Sequence, residues 1–106
     1  MMIIYSMLDF SAIVGFDWDD GNARKSEAKH GVSEAEAEQM FFNGKLLVVD
    51  DAGHSRGGAR CHALGHTDAG RWLHATFTLR ARGRLIRVIS VRVMSRKERV
   101  RYAEEA

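Results

Sequence analysis

Two neighbouring segments, Arg71-Trp-Leu-His-Ala-Thr-Phe-Thr-Leu-Arg80 and Leu85-Ile-Arg-Val-Ile-Ser-Val-Arg-Val93, decide the fold of this chain. In the first, apolar and polar side chains alternate, which is the pattern of a half-buried β-strand. The second is rich in β-branched residues, and the connection Ala81-Arg-Gly83 supplies the glycine that tight turns favour. The sequence therefore predicts a β-hairpin here.

The length of the turn determines which side chains share a face of this hairpin. A three-residue loop pairs Arg80 with Arg84, whereas a two-residue loop moves one strand's residues to the opposite face. We favour the first register because it places Ile89, Val91 and Val93 with the apolar face of the preceding strand. The other face is then polar and cationic, and it carries Trp72, His74, Thr76, Thr78, Arg80, Ser90 and Arg92.

Three helices are predicted around the hairpin. Asp17 or Asp19 can cap the first helix, which ends at Gly31, a residue suited to the left-handed C-cap conformation. Capping boxes, in which Ser is followed three residues later by Glu, open the second helix at Ser33-Glu-Ala-Glu36 and the third at Ser95-Arg-Lys-Glu98.

Shorter strands are predicted at Leu46–Val49 and Arg60–Gly65, and a weak one at Ile13–Phe16. The order of elements is then helix, helix, four strands, helix. We expect an α+β fold with two N-terminal helices, a four-stranded antiparallel sheet and one C-terminal helix. The weak segment can add a short N-terminal strand to that sheet.

Composition indicates one ordinary globular domain. The 106 residues are 45% hydrophobic and 28% charged, which suits a single core. We expect this domain at residues 14–106, preceded by an N-terminal extension at residues 1–13. The single cysteine, Cys61, excludes an intramolecular disulfide and favours a cytoplasmic location. No apolar run approaches the roughly 20 residues that a membrane span requires, so we expect no membrane association.

Charge is divided unevenly along the chain. Residues 1–53 hold four Lys/Arg against ten Asp/Glu, whereas residues 54–106 hold twelve against four, and eleven of those twelve are arginine. The planar guanidinium matches phosphate oxygens and stays charged, so this bias favours a nucleic acid or another polyanion as partner. Arginines at strand edges also keep a sheet soluble, which is the simpler alternative.

A cationic sheet surface of this kind can do more than bind RNA. RNA carries its own nucleophile, the 2′-hydroxyl, so a ribonuclease without metal requires only positioning, proton transfer and cations near the phosphate. A metal site built from His62, His66 and His74 is the alternative, but the chain lacks the HExxH and paired CxxC spacings typical of zinc sites. We therefore expect no metal and no cofactor.

A series of short motifs runs through residues 14–105 in a characteristic order. They are Phe16-Asp-Trp-Asp19, Gly21-Asn22, Lys25, Lys29-His-Gly-Val-Ser33, Glu36-Ala37, Phe41-Phe42, Asp50-Asp51, His54-Ser55, Arg60, Leu64-Gly65, Gly70-Arg71, Phe77-Thr-Leu-Arg80, Ile86-Arg-Val-Ile-Ser-Val-Arg92, Glu98-Arg99 and Tyr102. Together they resemble the BrnT family of bacterial type II toxins. The chain departs from the family pattern at its N-terminal extension, at Ala59, where the family often has an acidic residue, and at Val91, where it usually has alanine.

The resemblance implies a RelE-like ribonuclease fold and toxicity through RNA cleavage and arrested translation. It also implies a BrnA-type antitoxin partner with a ribbon-helix-helix DNA-binding region. Such complexes usually contain two copies of each protein and repress their own operon by binding operator DNA through the antitoxin.

We therefore predict a metal-independent endoribonuclease toxin. Arg60, Arg80 and Arg92, on neighbouring strands, would bind the scissile phosphate, and His30 and Tyr102 are the proton-transfer candidates from the matched motifs. The alternatives are that His30 is part of a helix cap and that Tyr102 is a buried contact between helix and sheet with its hydroxyl satisfied. Contacts to the RNA backbone and bases are expected from Lys25, Lys29, Trp72, Arg96 and Arg99. The rival prediction is a non-catalytic module that binds nucleic acid or protein and has lost cleavage, which Ala59 favours.

Overall fold

The computed structural model describes residues 10–51 and 60–105 and confirms the α+β class. Its elements, in chain order, are a 3-10 turn (Phe10–Ala12), β1 (Gly15–Phe16), α1 (Asp20–His30), α2 (Glu34–Phe42), β2 (Leu47–Asp51), β3 (Arg60–His66), β4 (Trp72–Arg80), β5 (Leu85–Val93) and α3 (Arg96–Glu104).

The strands form one five-stranded sheet in the order β1-β5-β4-β3-β2. The four longer strands are antiparallel, as predicted. The weak N-terminal segment does form a strand, but only over two residues, and it runs parallel to β5 with Gly15 opposite Leu85 and Phe16 opposite Ile86. The sheet is therefore mixed rather than purely antiparallel.

The turn between β4 and β5 is longer than predicted. Arg80 pairs with Leu85 rather than with Arg84, so four residues, 81–84, connect the two strands. Three of the four have positive φ angles. Two of these are not glycine, and a turn built from non-glycine left-handed residues carries no clear signal in the sequence.

A β-bulge then shifts the register a second time. Thr76 pairs with Ser90, but the next residue of β4, Phe77, pairs with Val88, which leaves Ile89 as an extra residue. Because side chains alternate between faces, the extra residue changes which positions of β5 face the core.

The predicted core face of β5 is consequently wrong in part. Ile86, Val88 and Val91 are buried, whereas Ile89 is only half-buried and Val93 is 50% exposed. Before the bulge, the even-numbered residues Ile86 and Val88 face the core, and after it the odd-numbered Val91 does. The sequence-based prediction assumed a strand without a bulge, in which the core-facing residues are either all even-numbered or all odd-numbered.

The main core lies between the sheet and α2. Phe41 of α2 packs edge-to-face on Phe77 of β4, with ring centroids 5.1 Å apart. At Gly65 the backbone of β3 comes so close to α2 that a Cβ atom would lie 2.6 Å from the carbonyl oxygen of Met40. The buried residues of this core are Val32, Ala37, Met40, Phe41, Leu46, Val48, Cys61, Ala63, Leu73, Ala75, Phe77, Ile86, Val88 and Val91.

The predicted helix caps are confirmed. Capping boxes open α2 at Ser33 and Glu36 and α3 at Ser95 and Glu98. A third box, formed by Asp19 and Asn22, opens α1, which ends at Gly31 in the left-handed conformation with φ of 67°. These signals are local in sequence, because each joins residues within one helical turn.

The third helix packs on the opposite side of the sheet from α2. Tyr102 is buried there against Leu47, Leu64 and Met94. Its hydroxyl donates to the carbonyl oxygen of Lys45 at 2.6 Å. The sheet thus carries α2 on one face and α3 on the other. In the described ranges, no helix has the length and apolar character to cross a membrane.

Candidate active site

The face of the sheet opposite the core carries a cavity beside α3. We call this side the polar face, defined by His62, His74, Thr76, Ser90 and Arg92. Direct strand pairing places His62 opposite Thr76, Thr76 opposite Ser90, and His74 opposite Arg92. The cavity has a volume of about 510 Å³ and is lined by Val49, His62, Leu64, His74, Thr76, Ser90, Arg92, Glu98 and Arg101.

Two imidazole rings meet in this cavity. Nδ1 of His62 lies 3.1 Å from Nε2 of His74, and the ring centroids are 5.1 Å apart with 30° between the ring planes. The hydroxyl oxygen of Thr76 lies 3.2 Å from the same Nδ1 atom of His62. A hydrogen-bonded pair of imidazoles is therefore fixed across β3 and β4.

The inner imidazole, His74, is neutral at neutral pH. Its residue is only 8% exposed, and this burial lowers its pKa from 6.5 to about 4 because a charged ring would lose its hydration. The positive charge of Arg92 and the neighbouring His62 lower the pKa further, and the carboxylate of Glu98 opposes them in part.

The cavity wall on the α3 side is a paired carboxylate and guanidinium. Nη1 and Nη2 of Arg92 donate to the two oxygens of Glu98 at 2.8 and 3.0 Å. Burial pushes the pKa of Glu98 upward, but the hydrogen bonds from Arg92 and from the backbone of Ser95 outweigh it and bring the pKa to about 2. The Glu98 carboxylate also lies 3.9 Å from Nε2 of His74.

The three predicted phosphate-binding arginines share a face of the sheet but not a pocket. Arg92 lines the cavity, whereas Arg60 and Arg80 are not among its described lining residues. Strand alternation puts Arg60 on the polar face with His62, and Arg80 on it with His74. Arg80 lies six positions along β4 from His74, the partner of Arg92, which is about 20 Å along the strand. The expectation of one shared anion pocket is therefore wrong.

The two predicted proton-transfer residues lie outside the cavity. His30 is the half-buried last residue of α1. Tyr102 is buried, with its hydroxyl between the Lys45 carbonyl and Nδ1 of His66, which lies 2.8 Å away. Burial raises the pKa of Tyr102 to about 12, so its hydroxyl stays protonated at neutral pH.

The predicted cations for the RNA backbone are all exposed. Lys25 and Lys29 lie one turn apart on α1, and Arg96 and Arg99 lie one turn apart on α3. Lys25 also lines a second cavity of about 470 Å³ beside β5, where Arg87 forms an ion pair with Asp19 at 2.9 Å. The capping aspartate Asp19 is thus engaged by the protein itself, as expected for a helix N-terminus.

The predicted stacking residue, Trp72, is half-buried rather than open. The guanidinium of Arg99 lies 5.1 Å from its ring centroid. Tyr102 packs edge-on against it at 4.8 Å between centroids. The indole therefore helps to seat α3 on the sheet, and an RNA base would have to displace Arg99 to stack on that side of the ring.

Sequence reasoning assigned no role in the reaction to His62, His74, Glu98 or Arg101. The alternation of side chains along β3 and β4 places His62 and His74 on one face, and this could have been recognised from the sequence. Whether the two rings touch depends on how β3 pairs with β4, and that pairing cannot be derived from the sequence of either strand alone. Across residues 10–51 and 60–105, no three His, Cys, Asp or Glu side chains are grouped to hold a metal ion. His66 contacts Tyr102 rather than joining the other two histidines.

The cavity of this α+β domain thus brings arginine, imidazole and hydroxyl groups together. A family model for the ribonuclease toxin BrnT of type II toxin–antitoxin systems matches residues 18–98. The chain belongs to this family, and a protein antitoxin is therefore its partner. A comparison with curated proteins finds no relative that matches the chain.

Proposed function

We propose that this toxin is a metal-independent endoribonuclease that cleaves RNA in the polar-face cavity and thereby inhibits translation. The observation that carries the proposal is the meeting of Arg92, two imidazoles, Thr76 and Ser90 in one cavity. All but one of the cavity's described lining residues fall within the range that matches the ribonuclease toxin family; only Arg101 lies beyond it. A cavity of this size accommodates a small ligand such as one nucleotide unit.

The chemistry follows from the substrate. The 2′-oxygen attacks the adjacent phosphorus, the bond from phosphorus to the 5′-oxygen breaks, and the products end in a 2′,3′-cyclic phosphate and a 5′-hydroxyl. One proton leaves the 2′-hydroxyl and one reaches the 5′-oxygen, through water or an imidazole. N–H donors aimed at the phosphoryl oxygens stabilise the negative charge that develops on them.

Arg92 is the arginine placed to contact the reacting phosphate. In the described part of the chain, it uses three N–H groups, two for Glu98 and one for the Val93 carbonyl, so two of its five remain for a ligand. Arg60 and Arg80 then contact phosphates further along the strand, and Lys25, Lys29, Arg96 and Arg99 hold the backbone outside the cavity. The cavity imidazoles take precedence over His30 and Tyr102 for proton transfer, because neither of those lines the cavity.

The antitoxin in this proposal is a BrnA-type ribbon-helix-helix protein that forms a complex with two copies of each chain. Exposed arginines on α3 and along the polar face favour an acidic or amphipathic antitoxin segment through electrostatic complementarity. Operator DNA would be bound through the antitoxin, and free toxin would act in the cytoplasm, where its RNA substrates are translated. A copurified partner of this class, which blocks RNA cleavage when added back, supports the assignment.

Expression in bacteria tests the proposed function. Wild-type protein should stop growth and amino-acid incorporation, whereas Arg92→Ala and Arg80→Ala should relieve both without loss of fold, as judged by circular dichroism. Arg24→Ala changes an exposed arginine on α1 and is the matched control, which should remain toxic. Undiminished toxicity in both Arg80→Ala and Arg92→Ala would contradict the assignment of the site.

A second function, RNA or protein binding without cleavage, is favoured by one contact. Glu98 neutralises Arg92 with two hydrogen bonds, which weakens the cation available to a phosphate. Ala59, which stands where the family often has an acidic residue, also favoured this function from the sequence, but it lies outside the described residues. RNA binding that weakens with salt but yields no products would support this second function.

A further inference from the structure

We propose that the second cavity, between α1 and β5, binds a guanine base of the RNA whose scissile phosphate lies in the polar-face cavity. The inference rests on the proposed function, because it names a base that the same enzyme would recognise. The second cavity has a volume of about 470 Å³, which suits a small ligand. It is lined by Asp19, Gly21, Asn22, Lys25, Arg87, Val88 and Ile89.

The β-bulge places the arginine of this cavity on the polar face. Val88 pairs with Phe77, and both side chains are buried in the core. Arg87 is the next residue of β5 and pairs with Thr78, so it lies on the opposite face. In a strand without the bulge, Arg87 would instead share the core face with Val91. The extra residue therefore brings Arg87 to the face that carries the first cavity.

An RNA strand on the polar face can reach both cavities. Arg92 pairs with His74, and Arg87 pairs with Thr78, four positions further along β4. The two arginines thus start about 13 Å apart on the same face of the sheet. Ser90 lies between them on β5. A strand whose phosphate contacts Arg92 can therefore pass over Ser90 and place a neighbouring nucleotide beside Arg87.

Asn22 holds the walls of the second cavity together. It is only 8% exposed, and its Nδ2 donates to the carbonyl oxygens of Asp17 at 3.2 Å and of Val88 at 3.1 Å. Its Oδ1 accepts from the backbone N–H of Asp19 at 2.7 Å. These bonds tie the start of α1 to β5. The cavity is therefore preorganised, which lowers the cost of ordering its side chains around a ligand.

The charges of this cavity favour a neutral ligand over a phosphate. Nη2 of Arg87 donates to Oδ2 of Asp19 at 2.9 Å. Nη1 of Arg87 lies 3.5 Å from a carboxylate oxygen of Asp17. A phosphate bound to this guanidinium would meet two carboxylates beside it. An uncharged base, which carries both donors and acceptors, avoids that repulsion.

Guanine is the base whose hydrogen-bonding groups match this cavity. Its N1–H and N2–H donors lie side by side and suit a carboxylate such as that of Asp19, and its O6 and N7 acceptors suit an arginine. Among the described residues, Arg87 makes three contacts, to Asp17 and Asp19, so two of its five N–H groups remain for a base. Val88 and Ile89 supply an apolar wall for the ring.

Binding of uncleavable 2′-O-methyl RNA tests the choice of base. An all-uridine oligonucleotide is compared with others in which guanosine, adenosine or cytidine replaces one uridine, at each position in turn. Guanosine at one position should tighten binding by about 10-fold or more, and it should shift the amide resonances of Gly21 and Ile89. Equal tightening by adenosine or cytidine, or no preferred position, overturns the inference.

Asp19→Asn tests the carboxylate without removing the helix cap. Oδ1 of Asp19 accepts from the backbone N–H of Asn22, and an asparagine oxygen can do the same. The new Nδ2 replaces Oδ2, so a donor stands where guanine requires an acceptor. The variant should bind the guanosine oligonucleotide no more tightly than the all-uridine one.

Asp20→Asn is the matched control, because Asp20 is exposed on α1 and is not among the described lining residues of the cavity. It should keep the full guanosine preference. A preference that survives Asp19→Asn contradicts the site. If circular dichroism shows that Asp19→Asn is unfolded, the amide shifts of the wild type decide, and guanosine that leaves Gly21 and Ile89 unshifted overturns the inference.

RNA cleavage separates this inference from the proposed function. If both hold, the wild type cuts bonds that have guanine at one fixed distance, and Asp19→Asn cuts without that preference. Cleavage by the wild type with no guanine preference overturns the inference and leaves the proposed function intact. A wild type that cuts no RNA but binds guanosine as described overturns the proposed function and leaves the second cavity a guanine site.

Discussion

At the scale of single residues, the burial of His74 links the cavity to the stability of the whole chain. The ring has an ordinary pKa of 6.5 when unfolded and a pKa of about 4 in the folded protein. Between those values the unfolded chain binds more protons than the folded one, so the free energy of unfolding rises with pH. The contribution is complete above pH 6.5 and is lost as the pH falls towards 4.

We predict that His74→Gln flattens the pH dependence of stability in this window. The wild type should lose roughly 3 kcal/mol of unfolding free energy between pH 7 and pH 4 through His74, because each unit of pKa difference corresponds to about 1.4 kcal/mol. Urea denaturation at pH 4.5, 5.5 and 7 measures the slope. Equal slopes for the wild type and the variant would show that His74 does not titrate with a lowered pKa.

Gly65 gives a second prediction at this scale. A Cβ atom there would lie 2.6 Å from the Met40 carbonyl oxygen, so Gly65→Ala must push α2 away from β3 and should cost about 1–3 kcal/mol. Gly44→Ala is the matched control, because a Cβ atom at Gly44 meets nothing within 4 Å. Its effect should be under about 1 kcal/mol. Similar losses of melting temperature in both variants would contradict the close packing.

At the scale of elements, features that depend on residues close in sequence were predicted well, whereas features that depend on how two strands pair were not. The capping boxes at Ser33 and Ser95 join residues within one turn of helix, and both form as predicted. The bulge at Ile89 depends instead on how β5 pairs with β4, which no single segment encodes. The bulge explains why Ile89 was wrongly predicted to face the core, whereas Val91 is buried as predicted. The positions of Ser90 and Arg92 on the opposite face were also predicted correctly.

Deletion of single residues tests the bulge. Removing Ile89 joins Val88 to Ser90, which already pair with consecutive residues of β4, so both halves of β5 keep their partners. We expect a folded variant that loses about 1 kcal/mol from one half-buried side chain. Removing Val91 instead places either Ser90 or Arg92 opposite the buried Ala75, which should cost at least about 2–4 kcal/mol.

Urea denaturation of the two deletion variants gives the comparison. If the bulge is present, the variant without Ile89 should have a clearly larger free energy of unfolding than the variant without Val91. If both deletions cost the same, or if loss of Ile89 unfolds the protein, then β5 is a regular strand and the assignment of its core face fails.

At the scale of the whole molecule, the cavity is lined by side chains from five elements that follow one another along the chain, β2 to α3. The order of motifs predicted the family correctly. The arginine-rich second half indicates a polyanion-binding face, which stays a prediction. The cavity itself required α3 to dock across the sheet, so that Glu98 reaches His74 and Arg92. That docking depends on the burial of Tyr102, which the sequence offered only as the alternative to a role in proton transfer.

The most direct test of the whole account is incubation of purified protein with RNA in EDTA, followed by analysis of the product ends. The account predicts cleavage in the absence of free divalent metal, with 2′,3′-cyclic phosphate and 5′-hydroxyl ends, and a rate that falls by about 100-fold or more in Arg92→Ala. RNA that stays intact in EDTA but is cut when Mg²⁺ is restored, or products with 3′-hydroxyl ends, would contradict it.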